Sequence, residues 1–247
     1  GLMRPDKRLS AVIGMIEAGS VVADVGTDHG YVPITLVKEG ISPRAFAMDV
    51  RPGPLEKAKD NAERFECSSM IRFILSDGLK ELPAGEADTV VITGMGGMLI
   101  NRILAECPDE VLSGIRTFIL GPQSEAELFR RSIVSGRYTI ESECLVRENG
   151  KYYPLIRASR GRGGMKERGG DGAKRLVPLK ELKPCDFRYG RFLLSMQDPL
   201  LREKIGTDIK TVGGVLKDRK HLPENRIREL EEELEQLKEA LDCYEMR

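Results

Sequence analysis

The run Val21-Val22-Ala23-Asp24-Val25-Gly26-Thr27-Asp28-His29-Gly30 joins an apolar stretch to two glycines and two acids. The apolar part reads as a strand and the rest as a tight turn into a helix. Glycine at positions 26 and 30 lets the backbone turn sharply and come close to a ligand, where a side chain would intrude. The spacing is G-x-x-x-G, not the G-x-G-x-x-G that seats a pyrophosphate on a helix N-terminus, and Asp28 would repel that phosphate. Asp24 and Asp28 suit instead a ligand bearing positive charge, such as a sulfonium and an ammonium. Taken alone, the same string also describes a plain turn with an aspartate cap.

Two further acids extend the pattern. Asp49 closes a second apolar run 25 residues after Asp24, where a carboxylate can accept hydrogen bonds from both hydroxyls of a ribose. Asp77, in Ser76-Asp77-Gly78, follows a third run at the height of an adenine amino group. Singly, each is an ordinary turn residue. Open α/β sheets bind ligands along the edge formed by the C-terminal ends of their strands, so three acids at three neighbouring tips are harder to dismiss. The fourth run ends in Thr93-Gly94-Met95-Gly96-Gly97. Its glycines leave room for a flat acceptor and Met95 can pack against a ring, although a glycine-rich turn without a chemical role would look the same. Methyl transfer from a sulfonium depends chiefly on in-line alignment, so the want of an obvious strong base is no objection.

These residues need a scaffold that brings strand tips together. Apolar runs at residues 21–25, 45–49, 71–75, 89–93 and 117–120 alternate with helical patterns at 5–17, 31–39, 54–64, 98–111 and 124–135, as a parallel sheet covered by helices requires. Two extended segments follow, 138–147 and 151–158, joined by Glu148-Asn149-Gly150, and Asn-Gly is the strongest short hairpin signal. Five βα units closed by an antiparallel hairpin is the class I, Rossmann-like methyltransferase layout; a dinucleotide-binding domain would continue with a parallel sixth strand.

Beyond the hairpin the composition changes. Arg160 to Lys174 reads RGRGGMKERGGDGAK, too poor in apolar residues to order itself, and predicts a linker or mobile loop. Residues 199–220 carry Leu201, Ile205, Val212 and Leu216 at helical spacing, interrupted by Gly213-Gly214. After His221-Leu222-Pro223, the residues Ile227, Leu230, Leu234, Leu237, Leu241 and Tyr244 form a narrow seam. The short break favours an antiparallel hairpin of these two helices within a monomer over a coiled-coil dimer. The expected division is therefore a catalytic domain at 1–158, a basic linker at 159–184 and a helical hairpin at 185–247.

The net charge of zero is unevenly spread: residues 157–221 hold 17 basic and 8 acidic side chains, so a polyanion would land there, unless the stretch is only a solvated linker. The five cysteines are scattered and never in a C-x-x-C pair, and with only His29 and His221 as histidines no metal site is expected. No apolar run approaches the roughly 18 residues needed to cross a bilayer. The start of the chain lacks the layout of a secretion signal, so a cytoplasmic location is expected.

The strings Lys7-Arg8-Leu9, Asp24-Val-Gly-Thr-Asp28-His29-Gly-Tyr31-Val-Pro33, Thr93-Gly-Met-Gly-Gly97 and Asn149-Gly-Lys-Tyr-Tyr153 together resemble the bacterial TrmK family, tRNA adenine-N1 methyltransferases acting at adenine 22. With the C-terminal helices the resemblance covers nearly the whole chain. It implies S-adenosylmethionine as cofactor and tRNA as partner, with Asp24, Gly26, Asp28, Asp49, Asp77 and Gly94 lining the cofactor pocket. Arg8, His29, Gly30, Val50, Gly78 and Met95 complete the expected cofactor-binding set. His29, Tyr31 and Met95 would face the methyl or the target base, and Tyr153 is a further catalytic candidate. His29 could be a general base or a histidine packed at a helix start. Tyr152 and Tyr153 alternate faces, so only one can point at the pocket, and either could stack on an extruded base. Two departures stand out: Gly30 where many relatives have alanine, and the long glycine-rich 160–174 segment. Open alternatives are a methyltransferase for a small molecule or protein, and a non-catalytic RNA-binding module.

Overall fold

The computed structural model describes residues 6–245. One nine-stranded sheet runs through the molecule in the order β3-β2-β1-β4-β5-β7-β6-β8-β9. Its strands are β1 (Val22–Val25), β2 (Ala45–Asp49), β3 (Ile71–Leu75), β4 (Thr89–Met95), β5 (Thr117–Pro122), β6 (Tyr138–Glu148), β7 (Lys151–Arg160), β8 (Gly164–Arg168) and β9 (Lys174–Pro178). The first five are parallel, β7 is antiparallel to β5, and β6 closes the hairpin. Residues of β1 and β2 are buried throughout, as expected of strands covered on both faces. Asn149 and Gly150 both take positive φ, 50° and 76°, which the two-residue turn demands.

The helices are α1 (Lys7–Gly14), α2 (Tyr31–Lys38), α3 (Pro52–Arg64), α4 (Gly97–Ala105), α5 (Asp109–Leu112), α6 (Ala126–Ser135), α7 (Pro184–Tyr189), α8 (Arg191–Ser195), α9 (Pro199–Lys217) and α10 (Glu224–Asp242). Asp6 caps α1 by accepting from the Leu9 N–H at 2.6 Å, and Asp198 caps α9 by accepting from Leu201 at 2.9 Å. Pro5, read as the start of the first helix, lies outside the described residues, and α1 stops short of the expected Glu17.

Three expectations need correction. The helix expected over residues 98–111 is two helices, because Pro108 donates no backbone hydrogen bond and restricts Cys107 before it. The pair Gly213-Gly214 does not interrupt α9: burial of Val212 and Leu216 on either side outweighs the roughly 1 kcal/mol that each glycine costs. The segment from Arg160 to Lys174 is not a linker. It supplies β8 and the start of β9, which pair antiparallel with Met165 opposite Val177, while β8 joins β6. Met165 is fully buried, and Lys166 pairs with Glu141 at 2.5 Å. Composition hid this because a single buried side chain and a waiting sheet edge order a strand whose other residues remain polar.

The C-terminal helices share a core of their own, in which Leu201, Ile205, Val212 and Leu216 of α9 meet Leu230, Leu237 and Ala240 of α10. That cluster is tied to the sheet by a buried arginine. The Arg130 guanidinium in α6 donates to both Glu143 oxygens, at 2.8 to 3.3 Å, and to the carbonyls of Phe187 and Arg188 at 3.0 and 2.8 Å.

Candidate functional site

Where the parallel strands end, the sheet leaves a cavity of about 650 Å³, and Asp24, Asp49 and Asp77 all line it. Parallel pairing places them: β1 lies between β2 and β4, and β2 between β1 and β3, so the three tips reach one edge side by side. Two turns hold the rim. The N–H groups of Gly26 and Thr27 both donate to the Met48 carbonyl at 2.9 Å, and Ser76 N–H donates to the Asp49 carbonyl at 2.9 Å.

Asp49 is 5% exposed. Its Oδ1 accepts the Arg51 N–H at 2.9 Å, and no described residue hydrogen-bonds Oδ2. Asp24 is buried, and burial pushes its carboxyl up to about 7, the Asp49 charge adding to the effect. Thr27 opposes that shift, yet its hydroxyl is outside hydrogen-bond geometry with any described partner, an orphaned buried polar atom on the cavity wall. Asp77 stands at the exposed rim, where a 2.9 Å ion pair with Lys80 holds its carboxyl below the ordinary value.

Opposite these acids, β4 and β5 change register between Thr93 and Met95. Gly94, at φ +80°, makes the kink, and the strand bends away to leave Met95 beside the first turn. Gly26, at φ +74°, faces Met95 so closely that a Cβ there would collide with the Met95 methyl carbon Cε. The Gly26 turn thus needs the left-handed backbone, and a side chain there would also push the flexible end of Met95 aside. Gly26→Ala is expected to cost about 1–2 kcal/mol of stability, from the positive φ alone, and to weaken binding of whatever ligand the cavity takes by displacing Met95. Thermal unfolding and calorimetry check both; wild-type values in each would refute the role given to this turn.

Residues 5–156 match the methyltransferase-domain family. The tRNA (adenine(22)-N(1))-methyltransferase of Bacillus subtilis (strain 168) is 36% identical over 159 residues, which are 64% of this chain and 66% of that relative, just under two thirds of its length. The crystal structure of the B. subtilis m1A22 tRNA methyltransferase TrmK superposes with a TM-score of 0.81 at 28% identity, covering 97% of this chain and 100% of that one. This chain belongs to the methyltransferase-domain family, in its TrmK branch. A second TrmK-like structure, Streptococcus pneumoniae Sp1610 in complex with S-adenosyl-L-methionine, superposes with a TM-score of 0.81 at 27% identity over 96% of this chain and 100% of that one.

In this TrmK-branch chain the cavity wall includes Arg8, Asp24, Gly26, Asp28, Tyr31, Asp49, Val50, Asp77, Gly78, Gly94 and Met95. His29, Gly30 and Tyr153 stand off it. Asp28 takes a left-handed φ of 53°, which turns His29 back so that its Nδ1 lies 3.0 Å from the Asp28 carboxylate and its ring stacks on Tyr31 at 5.2 Å. His29 thus braces Tyr31, while Gly30 begins α2 against Ala58. Tyr153 lies beneath the Arg8 guanidinium, 4.1 Å from its ring centre. Tyr152 points the other way and donates its hydroxyl to Glu203 of α9 at 2.9 Å.

Sequence reasoning passed over Thr27, Arg51, Arg102 and Gln123, all on the wall. Thr27 sits inside the quoted motif and could have been taken from it. Gln123 follows β5 in a string, Gly121-Pro122-Gln123-Ser124, that carries no glycine-acid signature, and only the pairing of β5 with β4 brings it to the site.

Proposed function

We propose that this chain transfers the methyl group of S-adenosylmethionine to N1 of adenine 22 in tRNA, acting as a monomer in the cytoplasm. The observation that carries the reading is the convergence of Asp24, Asp49 and Asp77 with the Gly94–Met95 kink on one cavity, in a chain whose likeness to m1A22 methyltransferases extends over 96–97% of its length. The wall fits the cofactor: it offers the unspent Oδ2 of Asp49, the unpartnered Thr27 hydroxyl, and a glycine cradle that a Cβ would fill. S-adenosylmethionine, when bound, supplies a sulfonium-activated methyl with a neutral thioether as leaving group.

The protein's own groups then divide the work. Asp49 holds the ribose hydroxyls, and Asp24 with Asp28 faces the cationic end. The Gly94 kink leaves room for a flat base, and Tyr31, steadied by His29, offers it an aromatic face. N1 of adenine carries a free lone pair, so attack needs alignment and no prior deprotonation.

Phosphate contacts belong to residues 157–221, where Arg168, Lys180, Lys210, Lys217 and Lys220 are exposed. Residues 185–247 would grip the tRNA. The α10 seam that a second copy would need is filled by α9, which supports a monomer. Among the described residues no helix is long and apolar enough to cross a membrane. Incubation with unmodified tRNA and labelled cofactor, followed by digestion, tests the proposal; 1-methyladenosine should appear at position 22, and its absence would overturn it.

The Asp24 carboxyl gives a second handle. The folded chain keeps a proton up to about pH 7 that the unfolded chain releases near 3.8, so between those values rising pH lowers stability. A bound ammonium or sulfonium favours the charged form and opposes this. Cofactor affinity should therefore rise between about pH 5 and pH 8, with proton release on binding within that window. Calorimetry in buffers of different ionisation enthalpy reads the proton, and Asp24→Asn should abolish the dependence. A flat profile in the wild type would remove Asp24 from the cationic end of the pocket.

A further inference from the structure

Gln123 borders two cavities. It lines the cofactor cavity and also a smaller one of about 130 Å³ between the sheet and the C-terminal helices, whose wall includes Leu145, Tyr152, Arg188 and Lys204. Its main chain is pinned, since its N–H donates to the Met95 carbonyl at 2.9 Å. Its side chain is exposed, and no described residue hydrogen-bonds the amide. The Nε2 atom lies 3.9 Å from where a Cβ on Gly94 would be, beside the kink that makes room for a base. A rigidly held backbone thus presents an unspent carboxamide between the methyl donor's cavity and the cleft toward the tRNA-gripping helices.

The reaction restricts which edge of the base a protein can hold. N1 must keep its lone pair, so recognition has to fall elsewhere. The N6 amino group and N7 of adenine form a donor and acceptor pair that one carboxamide matches with two parallel hydrogen bonds, leaving N1 open. Guanine shows acceptors at both O6 and N7, and a carboxamide, with one acceptor and one donor group, cannot pair with both in that way.

We propose that Gln123 selects adenine as the methyl acceptor, its Oε1 accepting from the N6 amino group and its Nε2 donating to N7. This rests on the adenine-N1 reading above. Single-turnover methylation is measured on tRNA carrying adenosine or 7-deazaadenosine at the target position, for the wild type, Gln123→Ala and Gln123→Glu, with melting temperatures alongside. The wild type should methylate adenosine and lose roughly tenfold or more when N7 is removed. Gln123→Ala should be slow by a similar factor on adenosine and indifferent to N7, within about twofold, because the partner is already gone. Gln123→Glu sets a carboxylate against the N7 lone pair, so its preference should reverse in favour of the 7-deaza substrate. The melting temperature should stay at the wild-type value in both variants, which separates the effect from misfolding, and every rate is taken at saturating S-adenosylmethionine because Gln123 borders that cavity. If the wild type makes no 1-methyladenosine, the adenine-N1 reading itself falls. If the wild type is active but the variants keep its preference for adenosine over the 7-deaza analogue, the Gln123 assignment alone is overturned.

Discussion

Asp49→Ala is expected to weaken S-adenosylmethionine binding by about 100-fold. A ribose diol would place two hydrogen bonds on this carboxylate, each worth about 1.5–3 kcal/mol because the acceptor is charged. Losing roughly 3 kcal/mol corresponds to two decades in affinity. The geometry favours the full effect: Asp49 is 5% exposed, it is aligned by strands on both sides of β2, and its Oδ2 has no described partner to give up. Unfolding would not explain the loss. Removing the Asp49 charge relieves Asp24 once that group ionises, while the Arg51 N–H loses its acceptor, so the variant without ligand should melt close to the wild-type temperature. Asp49→Asn, which keeps one acceptor, should fall between. Calorimetry and a melting curve decide the matter, and an affinity within threefold of wild type would mean that the ribose does not sit at the tip of β2.

That the acids could be found at all follows from where they stand. Asp24, Asp49 and Asp77 each stand within two residues of the end of an apolar run, and in a parallel sheet the end of every such run reaches the same edge. Position along the chain therefore translates into position in space with no further knowledge. The hairpin was legible for a similar reason, since Asn149 and Gly150 are the residue types that accept positive φ. Gln123 was not, because its place beside Gly94 depends on the register of β4 against β5 and on the shift at Thr93. Likewise β8 is ordered by the free edge of β6, a property of another segment that its own composition does not report. His29 shows the converse limit: the motif gave its address, but Asp28 and Tyr31 settled which way its ring faces.

The least legible feature is the joint at Arg130, which predicts the largest change in stability. On the sequence, Arg130 is one of two adjacent arginines on an amphipathic helix, a setting that ordinarily means solvent. In the fold its side chain is 2% exposed and the Glu143 side chain 0%. Its remaining bonds go to carbonyls in α7, nearly sixty residues away, so one guanidinium fastens the C-terminal helices to the sheet. Gly190 gives the carboxylate its space, since a Cβ there would fall on Glu143. Arg130→Met should remove about 3–5 kcal/mol, because a buried carboxylate and two carbonyls lose their partner together. For a chain of this size that lowers the melting temperature by roughly 10 °C. Burial already holds the Glu143 carboxyl above its ordinary value, against the pull of Arg130. Without the arginine, the folded state would raise it further by keeping the proton. Such a group costs nothing below its unfolded pKa and progressively more as pH rises toward its folded one, so the deficit should be smaller near pH 5 than near pH 8. Adding Glu143→Leu should restore part of the loss and flatten that pH dependence. Cofactor affinity should change little, as neither residue lines the larger cavity, whereas tRNA affinity should fall as this tie between the helices and the sheet is lost. Equal melting temperatures at both pH values for wild type and Arg130→Met would mean that the pair does not carry the joint.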